Sequence, residues 1–162
     1  KIVQGALDSG AFDTFVLGDG MIGQALADSI GADLNGSFGS VPGSTSKGAA
    51  KFNDLAAANG MDGTAPYVAQ SYDAAALIAF AIQRGGSADK QSILSNISRV
   101  GNAPGIKIMP GQISYGLQML AAGKEIDYDG ATDVEFNAFG DAYGAFLEQE
   151  VINGSFTTVQ QR

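Results

Sequence analysis

Apolar residues recur along this chain at two periods, and the densest recurrence lies between Ala65 and Arg84. There Val68, Tyr72, Ala75, Ala79 and Ile82 share one face of a helical projection, while Leu77 and Phe80 point another way. A helix without a polar stripe is buried on several sides, so this segment is expected to organise the fold. Pro66 stands in its first turn, where a missing N–H costs nothing. Gly85-Gly86 stops its far end. A second helix is expected over Lys47–Ala58, capped by Ser44 or Thr45, with Phe52, Leu55 and Ala56 inward. Ser87 is expected to cap a third, with Asp89 in its first turn and Ile93, Ile97 and Val100 aligned. Residues 1–9, 22–30 and 112–122 also carry helical spacing.

The strands read differently. Phe12–Leu17 does not alternate, which fits a buried parallel strand. Asn35–Val41 is a second strand, broken by Gly36 and Gly39 and punctuated by Pro42-Gly43. Gly105–Met109 is a short extended piece. Tyr143–Ile152 sets Ala145, Leu147 and Val151 on one face, and Asn153-Gly154 is a two-residue hairpin signal that returns Ser155–Val159 antiparallel. Glu125–Glu135 reads as a solvated acidic loop. Strands and helices that alternate early and close on a hairpin define an α/β fold class.

Composition narrows the chemistry. Seventeen Asp and Glu face nine Lys and Arg, for a net charge of −8, and no basic run exists that could neutralise phosphates, so no nucleic-acid partner is expected. No apolar stretch approaches the ~20 residues of a membrane span. The absence of Cys and His removes thiolate nucleophiles, disulfides, the usual zinc sites and every His-dependent triad. A Ser–Lys arrangement is what is left, and no spacing favours it. Asp127-Tyr128-Asp129-Gly130 departs from a calcium loop, with Ala138 where a twelfth-position Glu is needed. No catalytic residue, cofactor or metal is therefore expected.

Gly18-Asp19-Gly20-Met21-Ile22-Gly23 matches G-x-G-x-x-G after a strand and before a helix, the context of a dinucleotide fingerprint. Roughly 20 residues on, where a ribose-binding carboxylate belongs, stand Phe38, Gly39 and Ser40. Asp19 would also set a negative charge beside a pyrophosphate. A nucleotide-dependent enzyme built on Gly18–Gly23 is thus the weaker alternative. Asp19 itself lies at the carboxyl end of a strand, where open α/β sheets place ligands. It either counters a cationic ligand group or caps the following helix.

Several blocks then follow in order: Phe-Asp-Thr-Phe-Val-Leu-Gly-Asp-Gly-Met from Phe12, Leu-Asn-Gly-Ser-Phe-Gly-Ser-Val-Pro-Gly from Leu34, and Pro-Tyr-Val-Ala-Gln-Ser-Tyr-Asp-Ala-Ala from Pro66. Pro-Gly-Ile from Pro104, Ala-Ala-Gly-Lys-Glu-Ile-Asp-Tyr-Asp-Gly-Ala from Ala121 and Phe-Asn-Ala-Phe-Gly-Asp from Phe136 continue the series. Together they resemble the C-terminal half of periplasmic branched-chain amino acid-type (type I) solute-binding proteins of ABC transporters. The resemblance implies two Rossmann-like lobes, with residues 1–39 in the second lobe, 40–132 completing the first and 133–162 returning to the second with the terminal hairpin. It implies a non-enzymatic periplasmic protein that binds an amino acid or related small amide between hinged lobes and serves a membrane permease. A ligand sensor or regulator of the same fold is the alternative.

Carried over by position, Asp19 pairs with the ligand's α-ammonium, beside Gly20, and Tyr67 lines the pocket. Gln70 is counted with these ligand-binding residues, although it and Asp73 stay open between pocket and packing. Asn137 stands where many relatives have Asp. Ala69 stands where some have Trp, and the smaller alanine would widen the pocket away from leucine-like specificity. The opening Lys1-Ile2-Val3-Gln4, without Met, reads as the middle of a longer chain. A partial fold of this kind leaves sheet edges exposed, which predicts self-association.

Overall fold

The computed structural model describes residues 1–162. In chain order the elements are α1 (Ile2–Asp8), β1 (Val16–Leu17), α2 (Gln24–Ile30), β2 (Phe38–Pro42), α3 (Lys47–Ala58), α4 (Val68–Gly85) and α5 (Lys90–Gly101). Then come β3 (Ile106–Ile108), α6 (Ile113–Ala121), β4 (Ile126–Tyr128), β5 (Glu135–Phe136), β6 (Ala142–Tyr143), β7 (Phe146–Ile152) and β8 (Ser155–Gln161). Short 3₁₀ turns cover Asp19–Met21 and Gly31–Leu34. The chain parts into two units, Lys1–Gly43 with Ala145–Arg162, and Ser44–Gly144.

The first unit is a four-stranded sheet in the order β1-β2-β7-β8. β1 runs parallel to β2, and the other two pairs are antiparallel. Past Pro42, the Gly43 N–H donates to the Ala145 carbonyl at 3.0 Å, so the outgoing and returning chain are tied together. Val3, Leu17, Ile22, Ala27, Leu34 and Val151 form the core. The Asn153-Gly154 hairpin is present, with both residues at positive φ (53° and 77°), the geometry a two-residue hairpin turn requires.

Two expectations change here. The strand over Phe12–Leu17 shrinks to Val16–Leu17; Phe12 and Val16 are exposed, Leu17 is buried in the core and Phe15 packs against its edge. Gly39 does not break β2. A Cβ at that position would strike the Leu17 carbonyl and lie 2.8 Å from Ile22 Cδ1, so glycine is what allows β1 and β2 to approach.

In the second unit α4 packs against α5 and α6, and β3 and β4 pair in parallel with Lys107 opposite Asp127. Ala76, Leu77, Phe80 and Ala81 of α4 meet Val100, Ile108, Leu120, Ile126, Tyr128 and Val134. The Phe80 and Tyr128 rings lie 5.3 Å apart between centroids, an attractive aromatic distance. Gly116 of α6 gives Phe80 its room, since a Cβ there would sit 2.6 Å from the ring. A smaller cluster gathers Phe52, Ala56 and Ala131, with Val68, Ala69 and Tyr72 against it.

Four further expectations are corrected in this unit. α4 is buried along Asp73, Ala76, Leu77, Phe80 and Ala81, whereas Ala74, Ala75 and Ile78 face outward. An alanine-rich helix gives no contrast between faces, so periodicity misplaced Ala75. α3 is capped by Ser46, whose side chain accepts from the Ala49 N–H, rather than by Ser44 or Thr45. α5 is capped by Asp89, which accepts from the Ser92 N–H, while Ser87 donates to the Asp89 carboxylate. Residues 125–135 are no solvated loop, because Ile126, Asp127 and Tyr128 of β4 are all buried.

Candidate functional site

Asp19 and Gly20 follow β1 after Gly18 and form the start of the first 3₁₀ turn. That turn closes with Met21 N–H to the Gly18 carbonyl (2.8 Å) and Ile22 N–H to the Asp19 carbonyl (3.1 Å). The Asp19 Oδ1 accepts from the Gly20 N–H at 2.7 Å. Asp19 and Gly20 are exposed. α2 begins later, after Gly23, and receives no side-chain cap. Asp19 is therefore not the N-cap of α2; its carboxylate lies in the first turn of the 3₁₀ segment, at the carboxyl end of a parallel strand pair, the usual ligand end of an α/β sheet.

The dinucleotide fingerprint loses its physical basis at the same place. None of Gly18, Gly20 and Gly23 has the positive φ that demands glycine, and a Cβ on any of them would meet nothing within 4 Å. The fingerprint needs glycine for a tight turn, for pyrophosphate approach and for close helix–strand packing. Here a 3₁₀ turn occupies the loop instead.

Tyr67 precedes α4 with φ 66°, in the left-handed region, and the residue is 44% exposed. A bulky residue there is a conformational outlier that costs about 1–2 kcal/mol, and such strain concentrates where function needs a fixed geometry. Its carbonyl accepts from the Ser71 N–H at 2.9 Å, so the strained residue is held by the first turn of α4. Gln70 lies three residues on and half-buried, which brings it to the same end of the helix as Tyr67. The structure thus places Asp19 with Gly20 in the first unit and Tyr67 with Gln70 in the second.

Asp73 is settled as packing. It is 3% exposed and accepts from the Tyr128 hydroxyl (2.7 Å), the Ala131 N–H (2.8 and 3.0 Å), the Thr132 N–H (2.8 Å) and the Thr132 hydroxyl (2.7 Å). Gly130, at φ 65°, closes over the carboxylate, and a Cβ there would lie 2.7 Å from it. Burial, and then the Asp73 charge, push the Tyr128 hydroxyl far above its ordinary range, so Tyr128 stays a phenol donor. Ala69 packs on the Phe52–Ala131 cluster, so its small size serves that cluster. Asn137 accepts from the Phe139 and Asp141 N–H groups at 2.8 and 3.0 Å and shapes the β5–β6 loop.

This arrangement of elements is the type I periplasmic binding-protein fold. It is shared with the crystal structure of the leucine-binding protein LivK from Thermotoga maritima, with a TM-score of 0.69 and 21% identity over 99% of this chain. The chain spans 40% of that structure. In sequence it is similar to the substrate-binding protein BasB of a chemotactic signal transduction system in Halobacterium salinarum, 28% identical over 94 residues. That match covers 57% of this chain and 23% of BasB. No protein-family profile matches the chain. Both of these proteins are named for binding, one of leucine and one of a substrate, and no helix is long and apolar enough to cross a membrane.

Proposed function

We propose that this chain belongs to an exported solute-binding protein that takes up an amino acid of branched-chain type, or a related small amide, for an ABC transporter permease. The observation that carries this reading is Asp19, an exposed carboxylate at the carboxyl end of the β1–β2 pair. In this reading Asp19 pairs with the ligand's α-ammonium, Gly20 leaves room beside it, and Tyr67 with Gln70 offers an aromatic and amide wall. No bond of the ligand is made or broken. An ammonium drawn out of water needs a fixed counter-charge, and a tyrosine ring adds apolar contact with a cation–π contribution of ~0.5–2 kcal/mol. The similarity to LivK supports an amino-acid ligand.

The test is calorimetric titration of the full-length protein with branched-chain amino acids and small amides. Saturable one-to-one binding of at least one is expected. Silence across the panel would sink the reading. A sensor role is favoured by the similarity to BasB, whose name places it in chemotaxis. Loss of labelled-ligand uptake in a deletion strain supports transport, whereas intact uptake with lost swimming toward the ligand supports sensing.

Tyr67 provides a further check with two opposite signs. Tyr67→Gly relieves the left-handed strain and is expected to be neutral to stabilising by up to ~1 kcal/mol in denaturant melts. The same change removes the ring and is expected to weaken ligand binding by about tenfold. Affinity equal to the parent protein would take Tyr67 out of the site.

A further inference from the structure

The second unit carries a crevice of about 280 Å³ that none of the residues assigned to the amino acid lines. Arg84 at the end of α4, Asn96 and Arg99 of α5, Leu120 of α6, and Gly123, Lys124 and Glu125 before β4 surround it. Three of the nine basic residues in a chain of net charge −8 converge here, against one carboxylate. That leaves a local excess of two positive charges.

Arg99 and Lys124 are exposed to solvent, whereas Arg84 is largely buried. Arg84 pairs with Glu125 through Nη1, yet its Nε is buried without an acceptor. Arg99 and Lys124 take part in none of the ion pairs. Arg84 and Arg99 stand in the last turns of their helices, where a cation complements the dipole. Lys124 belongs to no helix, and dipoles do not account for an unpartnered donor buried beside an open crevice. Guanidinium forks match the oxygens of phosphate and carboxylate groups, and an excess of two charges matches a doubly charged group.

We propose that this crevice binds a small dianionic oxyanion of phosphate type, free or as a monoester, at a site separate from the amino-acid ligand. Arg84 and Arg99 supply directed N–H donors, Lys124 supplies charge, and Glu125 competes with the anion for Arg84. The test is titration of the full-length protein with inorganic phosphate, and in a second arm with glycerol phosphate, at pH 8 and ionic strength held constant with chloride. Saturable binding is expected, and the tighter of the two arms identifies free anion or ester as the ligand. The Arg99→Gln, Lys124→Gln double variant should bind about tenfold more weakly or worse. Glu125→Gln should bind several-fold more tightly, because it removes a repelling charge and frees Arg84. A purely structural Arg84–Glu125 pair predicts no such gain. Phosphate indistinguishable from chloride, unchanged affinity in the double variant, or no gain from Glu125→Gln would each overturn the proposal.

Discussion

Replacing Asp73 by alanine is expected to destabilise the protein by about 3–5 kcal/mol. The carboxylate is nearly inaccessible and takes hydrogen bonds from Tyr128, Ala131 and Thr132. Alanine would leave those donors buried and unpaired, which costs their full desolvation. Against a total stability of about 5–15 kcal/mol, the loss should appear as a fall in melting temperature of roughly 6–20 °C. Asp73→Asn keeps one acceptor oxygen and should fall between parent and alanine variant. Tyr128→Phe removes a donor while Asp73 keeps its others, so about 1 kcal/mol is expected. A differential scan that finds Asp73→Ala within 1 °C of the parent would show that the network contributes little.

Asp19→Ala in the full-length protein is expected to weaken amino-acid binding by about 100-fold or more and to leave the melting temperature of the unliganded protein unchanged. An ammonium in a water-poor site loses its counter-charge, and the penalty for an uncompensated charge is about 3–5 kcal/mol. Stability is spared because Asp19 is exposed, where substitutions usually change stability by about 0.5 kcal/mol or less. Asp19→Asn keeps the shape and removes the charge, so a comparable loss there separates charge pairing from simple contact. Calorimetry that returns the parent affinity for both variants would remove Asp19 from the site and with it the main support for the proposed function.

Local chemistry made part of this molecule readable. Phe52 and Ala56, four apart, mark the buried face of α3, and Asn153-Gly154 marks the β7–β8 hairpin because few residue pairs accept positive φ twice. What sequence could not show depended on distant partners. Asp127 reads as a solvated acid, yet it is buried in β4 opposite Lys107, across a parallel pair that no local pattern reveals. Asp73 finds its donors 55 to 59 residues away, so nothing near it announces a buried carboxylate. β4 has three residues, too few for a period to emerge. The site divides in the same way. Asp19 was readable as a carboxylate at a strand end, whereas the strain at Tyr67 is a backbone property that spacing does not encode. The basic crevice escaped because Arg84, Arg99 and Lys124 are scattered singly along the chain and converge only through the packing of α4, α5 and α6.

The first unit is written in two pieces, and β7, which joins β2 to β8, comes from the later one. During synthesis β2 therefore leaves the ribosome before β7, its antiparallel neighbour, is made. Ser44–Gly144 is continuous, so the contacts within it can form as it emerges. Once folded, it spares Gly43 and Ala145 the search through an open loop of about 100 residues. At about 5–20 residues per second, β2 waits roughly 5–20 s for β7. Pulse-labelled hydrogen exchange should find α4 protected before β2, and simultaneous protection would contradict that order. The bare edge of β2 during those seconds is where a nascent chain of this architecture is most exposed to mispairing and most in need of a chaperone.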